Sequence, residues 1–297
     1  MTNQISIGIM AFNEEKNIGN LLESIQKQKL THFRIRELII ISSGSTDKTE
    51  EIIKAHSKKD KRIRPIIQKE RRGKAAAVNL FISKAKSKII VLMGADILLK
   101  KNTLENLLAP FKNPSNGIVG SHPIPVNNQQ TFFGFAAHLL WKLHHEISKS
   151  HPKMGEMIAF RKVFKKIPVL SAVDEANIEP LIRGQDYKAV YAPQAIVYNK
   201  GPENLREFIA RRRHIYFGHI AAKHEYSYEV STFSGLNIFG LILKHIEFNW
   251  RFFLWTPFVI LLEVYSRFLG YLDYKFKLKS HTVWEVTPST KELKKKR

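Results

Sequence analysis

Cysteine is absent from the 297 residues of the sequence. Disulfide bonds, thiolate catalysis and zinc sites built on cysteine are therefore excluded. The absence leaves the compartment open, because a chain without thiols is compatible with reducing and with oxidising surroundings.

Acidic residues are scarce as well. The 26 Asp and Glu residues stand against 48 Lys and Arg residues, which gives a formal net charge of +22 and an isoelectric point near 10. An excess of this size indicates an anionic partner: nucleic acid, an anionic membrane surface or phosphorylated substrates. Charge alone does not choose among the three.

Two kinds of apolar segment are missing. Residues 1–12 contain neither a basic n-region nor a long apolar h-region, so they do not predict a secretory signal, and a location inside the cell is expected. A clean membrane span needs about 20 mostly apolar residues. In the C-terminal quarter, Pro257, Glu263 and Arg267 interrupt the apolar stretches between residues 252 and 272.

The C-terminal quarter is nevertheless rich in apolar residues. We expect residues 226–280 to form amphipathic or hydrophobic helices that lie in one leaflet or dip into it. A single span by residues 252–272 and burial within a soluble protein are the alternatives. The expected location is the cytoplasmic face of the cell membrane, as a peripheral, re-entrant or single-span protein. The predicted interfacial anchors are Trp250, Trp255, Tyr265 and Tyr271.

The strongest local pattern is KIIVLMGADILL at residues 88–99. Its apolar run at residues 89–93 is typical of a strand buried on both faces of a parallel sheet. Asp96 follows the end of this strand, where open α/β sheets bind their ligands. A carboxylate there can bind a divalent ion that in turn binds phosphates; the alternative is that Asp96 only caps a turn.

Strands and helices alternate through the first third of the chain. Strands are expected at residues 5–12, 37–42, 63–68 and 89–93, each followed by a helical pattern. This order predicts an α/β protein with a doubly wound, mostly parallel sheet flanked by helices. The loops before two of these helices are rich in Gly, hydroxyl or basic residues and can bind an anion. Ordinary helix caps and a solvated basic loop are the alternatives.

Seven segments in order carry a resemblance to a known family. They are ISIGIMAFNEE, IIISSGSTDKT, ERRGKAAAVN, VLMGAD, MGEMIAFRK, VDEANIE and RRRHIYFGH, between Ile5 and His219. In content, order and spacing they resemble the family 2 glycosyltransferases, whose fold is the Rossmann-like GT-A fold. The resemblance implies an inverting glycosyltransferase that uses a nucleotide-sugar donor together with Mn²⁺ or Mg²⁺.

The resemblance also assigns a donor site, in which Asp96 is the metal ligand. Ser43 departs from the family pattern, because many members have a carboxylate in this loop that recognises uracil. Gly94 departs from it too, because it replaces the first aspartate of an Asp-x-Asp motif. The nucleotide base is therefore open, and the metal is expected to rely on Asp96, water and the diphosphate. The implied donor-binding residues are Ala11, Phe12, Asn13, Glu15, Ser42, Ser43, Gly44, Asp47, Arg72, Lys74, Ala95 and Asp96.

Catalytic roles come from the same resemblance. Asp174, with Glu175 as second choice, is implied as the base that removes the acceptor's proton, and Arg213 as the group that binds the leaving diphosphate. An acidic pair at a helix N-terminus, favoured by the macrodipole, is the alternative for the carboxylates. The residues implied near the acceptor are Trp141, Arg161 and His214.

The sequence thus predicts a catalytic domain in residues 1–225, a membrane-associating helical region in 226–280 and a basic tail in 281–297, disordered at its end. The predicted function is metal-assisted transfer of a sugar, with a UDP-sugar as the expected donor, to a hydroxyl of a lipid-linked or glycan acceptor at an anionic membrane surface. The alternatives are a nucleotidyltransferase on a related core, a catalytically degenerate family member and a basic nucleic-acid-binding protein. No nucleic-acid partner is expected, because the basic residues are spread over helices and the tail.

Overall fold

A mixed β-sheet of eight strands runs through the computed structural model, which describes residues 3–168, 173–227 and 235–293. The strands are β1 (Asn3–Ala11), β2 (Phe33–Ser43), β3 (Ile63–Gln68), β4 (Ile89–Gly94), β5 (Leu98–Leu99), β6 (Asn116–Pro125), β7 (Met157–Arg161) and β8 (Lys188–Asn199). Their order across the sheet is β3-β2-β1-β4-β7-β6-β8-β5.

Helices cover both faces of the sheet and extend beyond one edge. Two 3₁₀ turns, Ala109–Lys112 and Pro288–Thr290, add to them. The α-helices in the described ranges are α1 (Ile18–Gln26), α2 (Thr49–Lys59), α3 (Lys74–Lys84), α4 (Thr103–Leu108), α5 (Phe132–Ser150), α6 (Asp174–Arg183), α7 (Leu205–Tyr226), α8 (Gly235–Lys244) and α9 (Trp250–Phe276).

The N-terminal half of the sheet confirms the predicted alternation. Strand β1 pairs in parallel with β2 and β4, and β2 pairs in parallel with β3. Alternate residues of β1 face opposite sides: Ile5, Ile7 and Ile9 belong to the core shared with α1 and α2, whereas Gly8 faces the Phe81 ring of α3. Because the strands are parallel, the loops after β1, β2 and β4 meet at one edge of the sheet.

The C-terminal half of the sheet is mixed. Strand β7 lies antiparallel between β4 and β6, β6 pairs in parallel with β8, and β5 lies antiparallel on β8. The predicted α/β fold with flanking helices and C-terminal apolar helices is therefore confirmed, with the parallel part restricted to β1–β4 and to the β6–β8 pair.

Helix α9 has two unlike faces. On its inner face, Glu263 and Asp273 form ion pairs with Arg212 and Arg213 of α7. Its outer face exposes large apolar side chains along the whole helix: Trp250, Phe253, Leu254, Phe258, Leu261, Val264, Tyr265, Phe268, Tyr271 and Phe276. Among the described residues it is the one helix long and apolar enough to cross a membrane. Such a helix can anchor the chain to a membrane.

One predicted interfacial anchor lies elsewhere. The Trp255 ring packs edge-on against Phe132 and Phe135 of α5, with centroids 5.9 and 5.6 Å apart. It therefore joins α9 to α5 instead of contributing to the outer apolar face. The other three predicted anchors, Trp250, Tyr265 and Tyr271, are exposed.

Residues 277–293 return from α9 across the carboxyl edge of the sheet, and we call them the C-terminal strap. The Asn17 side chain donates to the Thr290 carbonyl (3.4 Å) and accepts from the Leu293 backbone NH (2.9 Å). The Leu293 side chain is only 3% exposed. The predicted basic tail is thus packed as far as residue 293, because apolar and hydrogen-bonding residues are interspersed among its charges; residues 294–297 lie outside the described ranges.

Gly8 allows a test of the packing between β1 and α3. A Cβ at this position would lie 2.5 Å from the buried Phe81 ring. We expect Gly8→Ala to lower the free energy of unfolding by about 1–3 kcal/mol through overpacking, as measured by urea unfolding. The control is Gly240→Ala in α8, where a Cβ would have no neighbour within 4 Å. Equal stability of Gly8→Ala and the parent protein would contradict this packing.

Candidate active site

A cavity of about 380 Å³ lies at the carboxyl edge of the sheet, where β1, β2 and β4 end. Polar groups, among them Ser43, Lys74 and Asp96, line the part next to the sheet. The walls formed by α5, α7 and α8 contribute apolar side chains: Phe133, Leu140, Phe208, Ile215 and Ile238. An apolar recess with a few converging polar groups is typical of a small-molecule site.

Hydrogen bonds join the loop after β1 to the loop after β2. The Asn13 backbone NH donates to Ser45 Oγ (3.2 Å), and the Thr46 backbone NH donates to Asn13 Oδ1 (2.8 Å). The Glu15 backbone NH donates to Asp47 Oδ2 (3.1 Å). Asn13, Glu15 and Asp47, predicted to contact the donor, join one loop to the other in this structure and do not line the cavity.

Five of the predicted donor residues line the cavity: Ala11, Phe12, Ser43, Lys74 and Asp96. Ser42 lies behind them, fully buried, and its hydroxyl donates to Ser45 Oγ (2.9 Å). Gly44 has a φ of +70°, and a Cβ there would lie 2.8 Å from the Arg71 backbone nitrogen. Ser42 and Gly44 therefore shape the loop without lining the cavity.

Arg71, not the predicted Arg72, faces the cavity. The Arg71 guanidinium lies 3.8 Å from the centroid of the Phe12 ring and donates to the Trp284 carbonyl of the C-terminal strap (2.6 Å). The Arg72 side chain is 69% exposed and lies 4.0 Å from Glu70. The turn thus directs Arg71 inward and leaves the predicted Arg72 at the surface.

Asp96 lines the cavity directly after β4. The preceding Ala95 is buried, and its backbone NH donates to the Met10 carbonyl (3.1 Å), so Ala95 fixes the turn and does not itself line the cavity. A Cβ on Gly94 would lie 2.5 Å from Asp96 Oδ1. The Asp96 carboxylate therefore occupies the space that a side chain at position 94 would need.

The residues present fit a metal bound through one protein carboxylate. In the ranges that the structure describes, no group of three or more His, Cys, Asp or Glu side chains is placed to hold a metal ion. A divalent ion at Asp96 would take its other ligands from the donor's diphosphate and from water, as magnesium-type sites commonly do.

Two further carboxylates lie near Asp96, and the sequence patterns did not single them out. Glu14 is buried; burial and the charge of Asp96 raise its pKa to about 7, although Lys291 acts in the opposite direction. Burial also raises the pKa of Glu156, opposed by Arg211. The signal for Glu14 is its place beside Glu15 in the loop after β1.

The C-terminal strap contacts this group. The Lys291 ammonium forms an ion pair with Glu14 and donates to the Phe12 carbonyl (2.7 Å). With the contact between Trp284 and Arg71 described above, the strap is joined to the loops after β1 and β3.

Lys74 begins α3 and meets the acidic pair that begins α6. Its ammonium lies 2.9 Å from Asp174 Oδ2 and 3.8 Å from Glu175 Oε1. Burial acts to lower the pKa of Lys74, but the two carboxylates raise it, and burial raises the pKa of Asp174 although Lys74 opposes it. Asp174 is 1% exposed and lies behind the cavity, whereas Glu175 lines it. Glu175, the second choice of the prediction, is therefore the accessible carboxylate of the pair.

Consecutive arginines of α7 point in different directions, because neighbouring helix residues are about 100° apart. Arg211 and Arg212 line the cavity, and Arg211 pairs with Glu156 (3.0 Å). Arg213 is not part of the lining and forms an ion pair with Asp273 of α9. The guanidinium predicted to bind the diphosphate is therefore engaged on another side of the helix, whereas Arg211 and Arg212 face the cavity.

Of the three predicted acceptor residues, Trp141 lines the cavity. The other two do not. Arg161 Nε donates to the Asn116 carbonyl (2.9 Å), away from the cavity. His214 is 4% exposed, and its ring lies 3.9 Å from the Trp284 ring of the strap. Arg161 and His214 therefore have structural roles.

Five side chains on the α7–α9 side of the cavity form a group that we call the basic cluster: Lys153, Arg212, His219, Glu263 and Arg267. Arg212 Nε and Arg267 Nε donate to the Glu263 carboxylate (2.6 and 2.8 Å). Burial and the charges of the two arginines lower the pKa of Lys153 to about 7 and lower that of His219 well below its usual range. Burial acts to raise the pKa of Glu263, but the arginines hold it at about 2. Glu263 and Arg267, one turn apart in the apolar helix α9, are a local signal for part of the cluster.

The geometry at this edge agrees with the match to a known family. The model of Glycosyl transferase family 2 matches residues 6–171, more than half of the chain. The chain belongs to this family.

Two curated relatives of this family 2 chain carry names of sugar-transferring enzymes. It is 34% identical over 119 residues to the glycosyltransferase GlyG of Streptococcus pneumoniae serotype 4, covering 40% of this chain and 38% of GlyG. It is 25% identical over 214 residues to the poly-β-1,6-N-acetyl-D-glucosamine synthase of Staphylococcus aureus strain COL, covering 68% of this chain and 51% of the synthase. The matches thus span about half, or less, of these relatives.

Solved structures confirm the GT-A-like fold. The mannosyltransferase PcManGT from Pyrobaculum calidifontis, in complex with GDP-Man and Mn²⁺, has a TM-score of 0.67 at 17% identity and covers 94% of this chain and 89% of PcManGT. Residues 1–349 of S. aureus TarS, in complex with UDP-GlcNAc, have a TM-score of 0.51 at 16% identity, with 93% and 92% covered.

Lys153 provides a test of the basic cluster that needs no substrate. Its pKa is about 7 in the folded chain and 10.5 ordinarily. Between these values the unfolded chain binds a proton that the folded chain does not bind, so the free energy of unfolding should rise with pH, by up to about 1.4 kcal/mol per pH unit from this group. At or below pH 7 the charged form is present in both states, and its full destabilising effect applies.

Lys153→Met should therefore stabilise the protein most at or below pH 7 and flatten the rise toward higher pH. Urea unfolding across this pH range measures both effects. The matched control is Lys101→Met, because Lys101 is an exposed lysine outside the cavity. The same pH dependence in Lys153→Met and in the control would contradict a buried, destabilised ammonium.

Proposed function

We propose that this family 2 glycosyltransferase moves a sugar from a nucleotide-diphosphate sugar to a hydroxyl of a lipid-linked or glycan acceptor, with inversion at the anomeric carbon. The observation that carries the proposal is one cavity that holds both Asp96, at the end of β4, and Glu175, at the start of α6. One carboxylate is suited to a metal and its diphosphate, and the other to an acceptor proton.

The donor half of the cavity suits a nucleoside diphosphate. Phe12 and Ser43 lie at the ends of β1 and β2, and Arg71 and Arg211 bring planar guanidinium groups suited to phosphate oxygens. When bound at Asp96, Mn²⁺ or Mg²⁺ would supply positive charge where the diphosphate departs. A UDP-sugar is the donor we propose first. The two similar solved structures contain GDP-Man and UDP-GlcNAc, which differ in the nucleotide base, so the base has to be measured directly.

Glu175 is the group we propose as the catalytic base. It lies on the cavity surface, where its carboxylate can accept the hydroxyl proton as the acceptor oxygen attacks the anomeric carbon. The attack forms the new carbon–oxygen bond as the bond to the diphosphate breaks, so a single displacement inverts the centre without a sugar–enzyme intermediate. Asp174 positions Lys74 through their buried ion pair, and Lys74 in turn lies beside Glu175.

We further propose that α9 lies in the plane of an anionic membrane at the cytoplasmic face of the cell. Its 27 residues make a helix about 40 Å long, with an apolar outer face suited to an interfacial position. Glu263, Arg267 and Asp273 on the inner face are ion-paired within the protein. A spanning orientation would expose this charged side to hydrocarbon, which is unfavourable.

A donor screen tests the catalytic proposal. Purified protein is incubated with Mn²⁺ or Mg²⁺ and with UDP-, GDP-, CDP- or dTDP-sugars, with and without membrane lipid extract, and nucleoside diphosphate release is measured. We expect release from one donor, abolished in Asp96→Ala. Release of sugar 1-phosphate in place of nucleoside diphosphate would indicate nucleotidyl transfer, because attack on the α-phosphorus leaves the sugar on the departing phosphate. No release from any donor by folded protein would contradict the proposal.

Carboxylate variants then test the base. Glu175→Gln should slow transfer by about 10²–10⁴-fold and leave donor binding intact, because only proton removal is lost. Asp174→Asn is the matched variant: it breaks a buried ion pair and should first lower the free energy of unfolding. An active Glu175→Gln beside a stable but inactive Asp174→Asn would show that Asp174 is the base.

Vesicle co-sedimentation tests the membrane face of α9. The protein should bind vesicles that contain phosphatidylglycerol, and Leu261→Glu should abolish most of this binding, since Leu261 is 63% exposed on the outer face. The control is Ile67→Glu on β3, which places the same charge at an apolar side chain 40% exposed outside that face. Equal binding by both variants would exclude α9 as the membrane contact.

A further inference from the structure

The basic cluster takes no part in the donor or base chemistry described above, yet it lines the same cavity. We infer that Lys153, Arg212 and Arg267 bind a phosphate group that joins the acceptor's sugar to an apolar chain, and that this chain lies along the wall formed by α5, α7 and α8. The inference rests on the proposed function and deepens it, because it names the class of acceptor: a lipid phosphate.

The geometry of the cluster suits a phosphate. Its three cations come from separate segments: Lys153 from the loop before β7, Arg212 from α7 and Arg267 from α9. Glu263 holds both guanidinium groups, at 2.6 and 2.8 Å, so their orientation is fixed before a ligand enters. Their side chains remain 22% and 20% exposed. Fixed guanidinium groups together with an ammonium match the several oxygens of a phosphate.

The charge of the cluster is not balanced from within. Burial and the two arginines lower the pKa of Lys153 to about 7, because the arginines act on its charge more strongly than Glu263 and Glu175 do. His219 is neutral for the same reasons. An excess of positive charge in partly buried surroundings attracts an anion.

An apolar surface continues from the cluster. On α7, Phe208 and Ile215 lie about one turn to either side of Arg212 and line the same cavity. Phe133 and Leu140 of α5 extend this wall. A ligand complementary to both surfaces carries an anionic head on an apolar chain.

The cluster is also within electrostatic range of the proposed base. The negative charge of Glu175 favours the charged form of Lys153, so the two side chains lie near each other. A sugar attached to a phosphate in the cluster can therefore bring a hydroxyl toward Glu175. The outer face of α9, on the opposite side of the helix from Glu263, would place the cavity at the membrane surface where such lipids reside.

Calorimetric binding without donor tests this inference. Farnesyl phosphate, farnesol and inorganic phosphate are titrated separately into the full chain, slightly below pH 7. We expect farnesyl phosphate to bind at least about tenfold more tightly than either other probe. Lys153→Met should weaken that binding by about tenfold or more, the effect of losing one charged hydrogen bond, whereas Lys153→Arg should retain it. Lys101→Met is the control, and thermal unfolding confirms that each variant is folded.

Three results would overturn the inference. Equal affinity for inorganic phosphate would assign a free anion to the cluster. Equal affinity for farnesol would show that the phosphate group does not contribute to binding. Unchanged affinity in Lys153→Met would show that the basic cluster is not the binding site. Because no donor is present, failure of the donor screen leaves the binding result standing. Conversely, nucleoside diphosphate release with an uncharged glycan acceptor, in protein that does not bind farnesyl phosphate, would overturn this inference and leave the glycosyltransferase function intact.

Discussion

Ion pairs between α7 and α9 determine the shape of the cavity and of the surface behind it. Glu263 pairs with Arg212, and Asp273 pairs with Arg213 and with His281 (2.8 Å). Because both acids lie on the inner side of α9, they fix the rotation of this helix about its axis and turn its apolar residues outward. The same contacts hold Arg212 on the cavity and anchor the start of the C-terminal strap at His281. The apolar outer face, the basic cluster and the strap thus depend on one set of interactions.

Charge balance explains why cations gather at the carboxyl edge of the sheet. Asp96, Glu14 and Glu156 already share this region, and a donor would add a diphosphate, so like charges would repel at short range without compensation. Lys291 and Arg211 each pair with one of the acids. Gly94 contributes in a different way. It removes one carboxylate from a crowded group and leaves room for Asp96 to turn back over the backbone.

The parts of the fold that local pattern controls can be predicted from the sequence. The strands β1, β2 and β4 can be predicted from their apolar runs, and the position of Asp96 after β4 from its neighbours in the sequence. The direction of a side chain cannot be predicted in this way. The sequence favoured Glu15, Arg72, Asp174 and Arg213. Their near neighbours Glu14, Arg71, Glu175 and Arg211 line the cavity instead. Each predicted residue differs from the cavity-lining one by one or two positions, because neighbouring side chains diverge and only tertiary packing decides which one faces inward. The basic cluster and the strap combine residues more than fifty positions apart, which no local pattern connects.

The C-terminal strap is linked to the donor site electrostatically as well as by contact. Lys291 bridges Glu14 and the Phe12 carbonyl, so the position of the strap depends on the charge of Glu14. Burial and Asp96 raise the pKa of Glu14 to about 7, and Lys291 opposes them. Positive charge arriving at Asp96 would offset the repulsion between the two carboxylates and favour ionised Glu14. Lys291 and Asp96 thus act on the same carboxyl group in opposite directions, and the strap belongs to the charge balance of the cavity.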